Sequence, residues 1–549
     1  MTLNEIILDL KKEFKENDSL KIRRFCVGDK NLALVFLESF ADFDIISKDI
    51  ILPIINFQNN KSENFGEKSK NKIEAKSENL NNIKEIKNEN FNNKSDQESE
   101  ELNSEDSQEN KKLRKGNERK NEKINKKSEK SFVNFIAKNI LPASEISVSE
   151  NKNEWISKIC RGEKVLFVDG EESGIIINSK NLFKRAIIEP PNNNIIRGPR
   201  EGFNEDINTN LNLLRKRLVT NDLKIETMEI GRITKTKVAI TYLTKIASKG
   251  VVKKIKENLQ KIDIDGILDS YYLQDYLEDR PNSIFKQVGW TEKPDILAGK
   301  ILEGRVGIIV DGSPIALTLP FLLVEDLQSA DDYYQENNAV TFVRLLRFFG
   351  LFIALTMPGI YIALQLYHYK ALPLKFLVTI INSSQNIPMP PSIEVLFAFF
   401  MFEILYEASV RTPKSLGSSF NIIGALILGD TAVKSNLASA PTIMIVALSS
   451  IAIYLIPDAT NVMRLLRFFI TLLATIIGVV GICVGLIFIV AYLSDFDSYG
   501  ADYLSPFAPY KTGDFKDSFF KANILSMKQR PKSFLQKNKT RSVINDEKK

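Results

Sequence analysis

The chain has 549 residues, too many for one ordinary domain, and its 74 basic and 68 acidic side chains leave a formal net charge of only +6. That balance gives no ground for nucleic-acid binding, and no nucleic-acid partner is expected. Three cysteines, Cys26, Cys160 and Cys483, are odd in number and far apart, which argues against a disulfide framework and a zinc site and points to a reducing, cytosolic setting for the soluble parts.

Leu3, Ile6, Ile7, Leu10 and Phe14 recur at helical spacing, so the chain is expected to start with an amphipathic helix and without a signal peptide. Residues 1–56 alternate helix-like and strand-like apolar runs, notably Leu32 to Leu37, and read as a small α/β subdomain. From 57 to 130 the sequence is a mixture of Lys, Asn, Glu and Ser that cannot bury enough apolar surface to offset ordering entropy, and a disordered linker is expected.

Residues 131–331 read as a second α/β cytosolic subdomain. The stretch EPPNNNIIRGPREGFNEDINTNLNLLRKRL, from Glu189, places Arg197, Arg200 and Glu201 around a Gly-Pro turn and leads into a helix carrying Arg215 and Arg217. Asn204 stands where an N-cap is expected, and Ile207, Leu211, Leu214 and Leu218 form one apolar stripe. Arginines beside a helix start favour an anion, yet Arg215 and Arg217 lie about 200° apart on a helix and do not converge on one small ligand. No P-loop or dinucleotide fingerprint accompanies them, so the stretch reads as an assembly or signal-coupling loop between protein surfaces, with anion binding as the alternative.

An internal echo runs through this region. CRGEKVLFVDGEESGIII from Cys160 matches LEGRVGIIVDGSPIALTL from Leu302, pairing Gly162 with Gly304 and Val168-Asp169-Gly170 with Val310-Asp311-Gly312. Both segments predict β-hairpins that turn at Asp-Gly, with the aspartates as turn formers rather than paired catalytic carboxylates.

Residues 332–495 read as an α-helical polytopic membrane domain and 496–549 as a basic cytoplasmic tail. Phe348–Leu366, Ala440–Ile456 and Phe468–Leu493 are nearly free of charge and long enough for a bilayer core of about 30 Å, the second only just. The hexapeptide Arg-Leu-Leu-Arg-Phe-Phe begins at Arg344 and again at Arg464, and both copies read as cytoplasmic anchors. A single span over Phe468–Leu493 conflicts with a basic tail on the same side as Arg464, and four full spans with cytoplasmic termini are expected.

Pro388 to Arg411 is apolar except for Glu394, Glu403, Glu407 and Arg411. Glu403, Glu407 and Arg411 share a helix face, whereas Glu394 points about 180° away. An internal Glu407–Arg411 ion pair and an ion pathway through Glu403 or Glu394 are both open, and Asp430 either lies on that pathway or caps a helix. His368 has no His or Cys partners nearby, so no metal site is built here, and no cofactor is expected.

The stretch from Glu189, QVGWTEKPDILAGKILEGRVGIIVDGSPIALTLPF from Gln287, Asp331-Asp332-Tyr333-Tyr334, His368 before Pro373, and SYGADYLSPFAP from Ser498 together resemble the A subunits of GerA-type germinant receptors, over about residues 155–510. Stage V sporulation protein AF shares the same core. The resemblance implies a non-enzymatic subunit of the spore inner membrane that acts with a transporter-like B subunit and a lipoprotein C subunit and oligomerises around a nutrient-gated ion channel. Two residues depart from the pattern: Lys286 replaces a usual proline, and Tyr406 replaces a usual arginine, which puts any transferred charge network at that helix in doubt.

Overall fold

The computed structural model describes residues 2–15, 17–27, 30–41, 43, 46–56, 132–142, 145–178, 197–412 and 429–542. The linker expected over 57–130 and the start of the arginine stretch, 189–196, lie outside them. Two compact units are present, one of Met1–Ala186 with Asn208–Glu226, the other of Ile187–Ile207 with Thr227–Lys549.

The first unit contains α1 (Leu3–Glu13), β1 (Leu20–Val27), β2 (Lys30–Leu37), α2 (Phe132–Asn139), β3 (Ile146–Ser149), α3 (Lys152–Cys160), β4 (Lys164–Val168) and β5 (Gly174–Ile177). Its strands form one antiparallel sheet in the order β1-β2-β4-β5-β3. Residues 1–56 are therefore not a subdomain of their own, because β2 pairs with β4 from Leu32 opposite Val168 to Val35 opposite Val165. Strand alternation explains the unbroken apolar run in β2. Ala33, Val35 and Leu37 pack with Leu3, Ile7, Leu10 and Trp155 on one face, while Leu32, Leu34 and Phe36 pack with Ile46, Ile50, Val133 and Ile136 on the other.

α4 (Ile207–Arg217) is followed by β6 (Leu223–Ile230), β7 (Thr236–Leu243), α5 (Lys249–Gln260), α6 (Ser270–Leu277), β8 (Gly289–Thr291), α7 (Pro294–Leu302), β9 (Val306–Val310) and β10 (Ala316–Leu319). The second sheet has the order β6-β7-β9-β10-β8, the first sheet's order in new numbers. The sequence echo is thus the visible part of a repeated topology, with each hairpin preceded by a helix and paired antiparallel. The turn residues repeat as well: Gly170 and Gly312 take φ of +81° and +86°, which a side chain disfavours. The aspartates do more than form turns. The Leu3 N–H donates to Asp169 Oδ1 at 3.1 Å and the Ile207 N–H to Asp311 Oδ1 at 3.2 Å, so each carboxylate receives a first-turn N–H that no helical carbonyl can take.

A helical region follows in the second unit: α8 (Asn337–Leu366), α9 (Leu374–Ser384), α10 (Pro391–Arg411), α11 (Ala440–Ile453), α12 (Thr460–Ile477) and α13 (Val479–Ser494). Four full spans are not what the described residues give. Two helices, Asn337–Leu366 and the run Pro457–Ile477, are long and apolar enough to cross a membrane; α11 has 14 residues and falls short.

The expected single span over Phe468–Leu493 is a helical hairpin instead. Gly478, with φ +70°, breaks the run, and a Cβ on Gly481 would stand 2.2 Å from the Leu473 carbonyl oxygen, so only glycine permits this approach. Phe469 and Phe488 meet with ring centroids 6.4 Å apart, which fixes the two helices antiparallel.

The described part of the tail, 496–542, packs onto the rest of its unit. The Phe321 N–H donates to Ser498 Oγ at 3.0 Å, the Tyr503 hydroxyl to the Lys286 carbonyl at 2.8 Å, and the Lys537 N–H to the Ile246 carbonyl at 2.8 Å.

Candidate functional site: a polar network through the helical region

Pro358 lies inside α8 and cannot donate to the Ala354 carbonyl one turn earlier. In apolar surroundings that carbonyl requires another donor. Ser449 of α11 supplies it, its hydroxyl reaching the Ala354 carbonyl at 2.9 Å with both residues buried. Arg467 of α12, 3% exposed, lies beside it and donates through Nη1 to Ser449 Oγ at 3.4 Å and Ser450 Oγ at 2.9 Å. The other end of its guanidinium meets Glu403 of α10, with Nη2 3.3 Å from Oε1. Polar contacts thus connect α8, α11, α12 and α10.

Arg464, one turn before Arg467, places Nη1 2.9 Å from Glu403 Oε2, so arginines at i and i+3 share one carboxylate. The first hexapeptide does the same: Arg344 Nε and Arg347 Nη1 each lie 2.9 Å from Asp332 Oδ2. Arg344 is fully buried and also donates to the Asp517 carbonyl at 2.9 Å. Both copies, read from the sequence as anchors, are carboxylate clamps. Aromatic rings back the second one, with the guanidinium carbons of Arg464 and Arg467 4.2 Å and 4.4 Å from the Tyr406 and Phe399 ring centroids. Tyr406 of α10 therefore offers a ring face to an arginine of another helix.

Glu394, 2% exposed, stands on the opposite side of α10 from Glu403 and accepts from Ser439 N–H at 2.6 Å and Ser439 Oγ at 2.7 Å. Ser439 is the N-cap of α11, so the carboxylate sits at the positive end of that helix dipole. Thr442 Oγ1 lies 2.9 Å from Ser439 Oγ and 3.2 Å from the Tyr361 hydroxyl, which extends the hydroxyl chain to α8. Among the described residues no lysine or arginine pairs with Glu394.

The remaining charges lie apart from this network. Glu407 and Arg411 are exposed and pair at 2.6 Å, and exposed Asp430 pairs with Lys434 at 2.6 Å. Asp430 belongs to a short helical stretch, 429–434, ahead of α11, and residues 413–428 before it are outside the described part.

In the arginine stretch, Arg197, Arg200 and Glu201 fall in the second unit and Arg215 and Arg217 in the first. Lys293 Nζ donates to the Pro199 carbonyl at 2.7 Å and the Phe203 N–H to the Glu292 carbonyl at 2.7 Å, pinning the loop beside the start of α7. Arg215 is 2% exposed and donates to Ser19 Oγ, and burial holds its guanidinium down at about 10. Arg217 is only half-buried and donates to the Leu213 carbonyl at 3.2 Å. The opposed directions follow from their helix positions. Asn204 is not the helix cap: it accepts from the Asp206 N–H at 3.0 Å in a turn before α4 begins at Ile207.

Sequence reasoning missed Arg464 and Arg467 as partners of Glu403, and Ser449 and Ser450 as the groups behind Arg467. The repeated hexapeptide was the available signal, since paired arginines in an apolar run require an acid.

The profile described as Bacillus/Clostridium GerA spore germination protein matches residues 99–533. Spore germination protein KA of Bacillus subtilis is 35% identical over 408 residues, covering 74% of this chain and 75% of that protein. The uncharacterized membrane protein YfkQ of the same organism is 38% identical over 399 residues, 72% of this chain and 78% of its own length. Spore germination protein GerLA of Bacillus cereus is 31% identical, covering 75% and 84%. A crystal structure of the N-terminal domain of the A subunit of the Bacillus megaterium spore germinant receptor GerK3 is similar at 25% identity with a TM-score of 0.34, over 58% of this chain and 94% of that one. With most of its length matched by the profile and by these relatives, the chain belongs to the GerA family of spore germination proteins.

Proposed function

We propose that the chain is the A subunit of a nutrient receptor in the spore inner membrane, working with a transporter-like B subunit and a lipoprotein C subunit and oligomerising around an ion path. The observation that carries the reading is Glu394, a carboxylate 2% exposed among apolar helices and held only by N–H and hydroxyl groups. A buried carboxylate without a cationic partner is costly in a purely structural helix bundle, and it offers a station for a cation or proton. Electrical recording from purified receptor complexes in planar bilayers tests this. Nutrient-dependent current that Glu394→Gln reduces or makes less selective supports the reading, and no current with all partners and nutrient present sinks it.

A second reading, a non-conducting subunit whose helices dock the B subunit, has its own support. Glu403, Glu407 and Asp430 are each already matched by arginine or lysine. In that case Glu394→Gln lowers the amount of assembled receptor in spores and leaves ion release per receptor unchanged.

A further inference from the structure

We propose that α6 is an interfacial helix whose exposed tyrosines rest against the headgroup layer of a phospholipid membrane, at the base of the α12–α13 hairpin. The inference rests on reading α8 and the run Pro457–Ile477 as membrane-crossing helices.

The sequence of α6, SYYLQDYL, gives it two unlike faces. Ser270, Leu273 and Leu277 are buried, and the two leucines join the core of the second sheet. Tyr272 and Tyr276, one turn apart, stand on the other side with Tyr271 beside them, and all three are exposed. Leu268 ahead of the helix and Ile284 after it are exposed as well, at 69% and 44%. The helix is tied in this orientation. Asp269, its N-cap, accepts from the Tyr271 N–H at 2.9 Å and from the Ser313 hydroxyl at 2.7 Å, which fastens it to the turn between β9 and β10. Rings and aliphatic groups clustered on the outside in this way mark an interaction surface.

Position decides what covers it. Tyr271, Gln274 and Glu278 line one cavity with Asp458, Asn461 and Val462 at the start of α12. After α6, Arg280 Nη2 donates to the Asp495 carbonyl, just past the end of α13, at 3.1 Å, and Phe285 meets Tyr492 of α13 with ring centroids 6.1 Å apart. α6 and the loop behind it therefore touch the first turn of α12 and the last turn of α13. Between those ends both helices expose apolar side chains along their length, among them Leu465, Leu472 and Ile476 on α12 and Val484, Ile487 and Phe488 on α13. Acidic residues resume at Asp458 and Asp495. The 18 residues of α12 measure about 27 Å, close to the hydrocarbon core of about 30 Å, so the Thr460 end stands at the headgroup layer and α6 stands with it. Tyrosine suits that depth, its ring in the apolar boundary and its hydroxyl in water. α6 carries Asp275 and no lysine or arginine, so ring surface rather than attraction to anionic lipid holds it there.

The test is the fluorescence of Tyr272→Trp and Tyr276→Trp in the full-length chain reconstituted in phosphatidylcholine vesicles, with the emission of Trp155 and Trp290 in the wild type subtracted. Phosphatidylcholine carrying a nitroxide at the headgroup is expected to quench the added emission more than lipid carrying it deep in the acyl chain. Leu472→Trp, within α12, is the reference and is expected to show the reverse order. Lipid quenching at Leu472→Trp, with both tyrosine positions insensitive to lipid and open to iodide, overturns the proposal and leaves the membrane reading standing. Protection of both positions from lipid label and iodide alike assigns the face to a protein and also overturns it. No lipid quenching at any of the three positions removes the membrane reading and the proposal together.

Discussion

Glu403 of α10 and Arg467 of α12 meet at 3.3 Å, and the arginine is 3% exposed while the carboxylate keeps an open side. The pair is therefore unequal. Glu403 also holds Arg464, but the Arg467 guanidinium has only the serines of α11 to turn to. Glu403→Gln should destabilise the helical region by about 1–3 kcal/mol, the usual cost of a buried donor deprived of its partner. Replacing both residues, Glu403→Gln with Arg467→Met, should recover much of that loss because no buried charge remains. Thermal unfolding in detergent reads both effects. A Glu403→Gln protein that melts with the wild type would mean that the clamp contributes nothing to stability.

Ser449 is expected to matter only because of Pro358. Its hydroxyl satisfies the Ala354 carbonyl that the proline leaves without an N–H, so Ser449→Ala should cost about 1–2 kcal/mol in the wild-type background. In a Pro358→Ala background residue 358 regains its own N–H, and the same substitution should cost clearly less. A double-mutant cycle on the two positions measures the difference as a coupling energy. Equal costs in both backgrounds would refute the link.

These contacts show what the sequence carries and what it conceals. Local pattern was enough for α1, where Leu3, Ile6, Ile7 and Leu10 are all buried, and for the two hairpins, whose Asp-Gly turns repeat with the same backbone geometry. The sharing of one sheet by residues 20–37 and 146–177 was not legible, because the pairing of β2 with β4 joins segments separated by a long polar stretch. Composition showed Phe468–Leu493 to be apolar without showing where it turns, since a glycine at φ +70° looks in sequence like the other glycines of an apolar helix. Charge spacing speaks to the opposite placement of Glu394 and Glu403 and to the nearness of Glu407 and Arg411, because both relations lie within one helix. The partners of Glu403 come from another helix, and no periodicity within α10 can reveal them.

Outside the helical region, the buried Glu325 makes a prediction about acid. Its carboxylate lies 2.9 Å from Lys300 Nζ and 2.5 Å from Arg305 Nη1. Burial alone would raise it, but Arg305 and Lys300 outweigh that effect and hold it at about 2, below the ordinary value of 4.5. A carboxyl depressed by folding contributes stability that is complete above the unfolded value and is lost as pH falls through the folded one. The window is therefore from about pH 4.5 down to about pH 2, and the contribution is on the order of 3 kcal/mol. Glu325→Gln should lower the melting temperature at neutral pH, because Lys300 loses its acid and the buried Arg305 keeps only Glu303. It should also flatten the fall in melting temperature between pH 5 and pH 3, since that group no longer titrates. An acid limb as steep in Glu325→Gln as in the wild type would assign the acid sensitivity to other carboxylates and reject this role for Glu325.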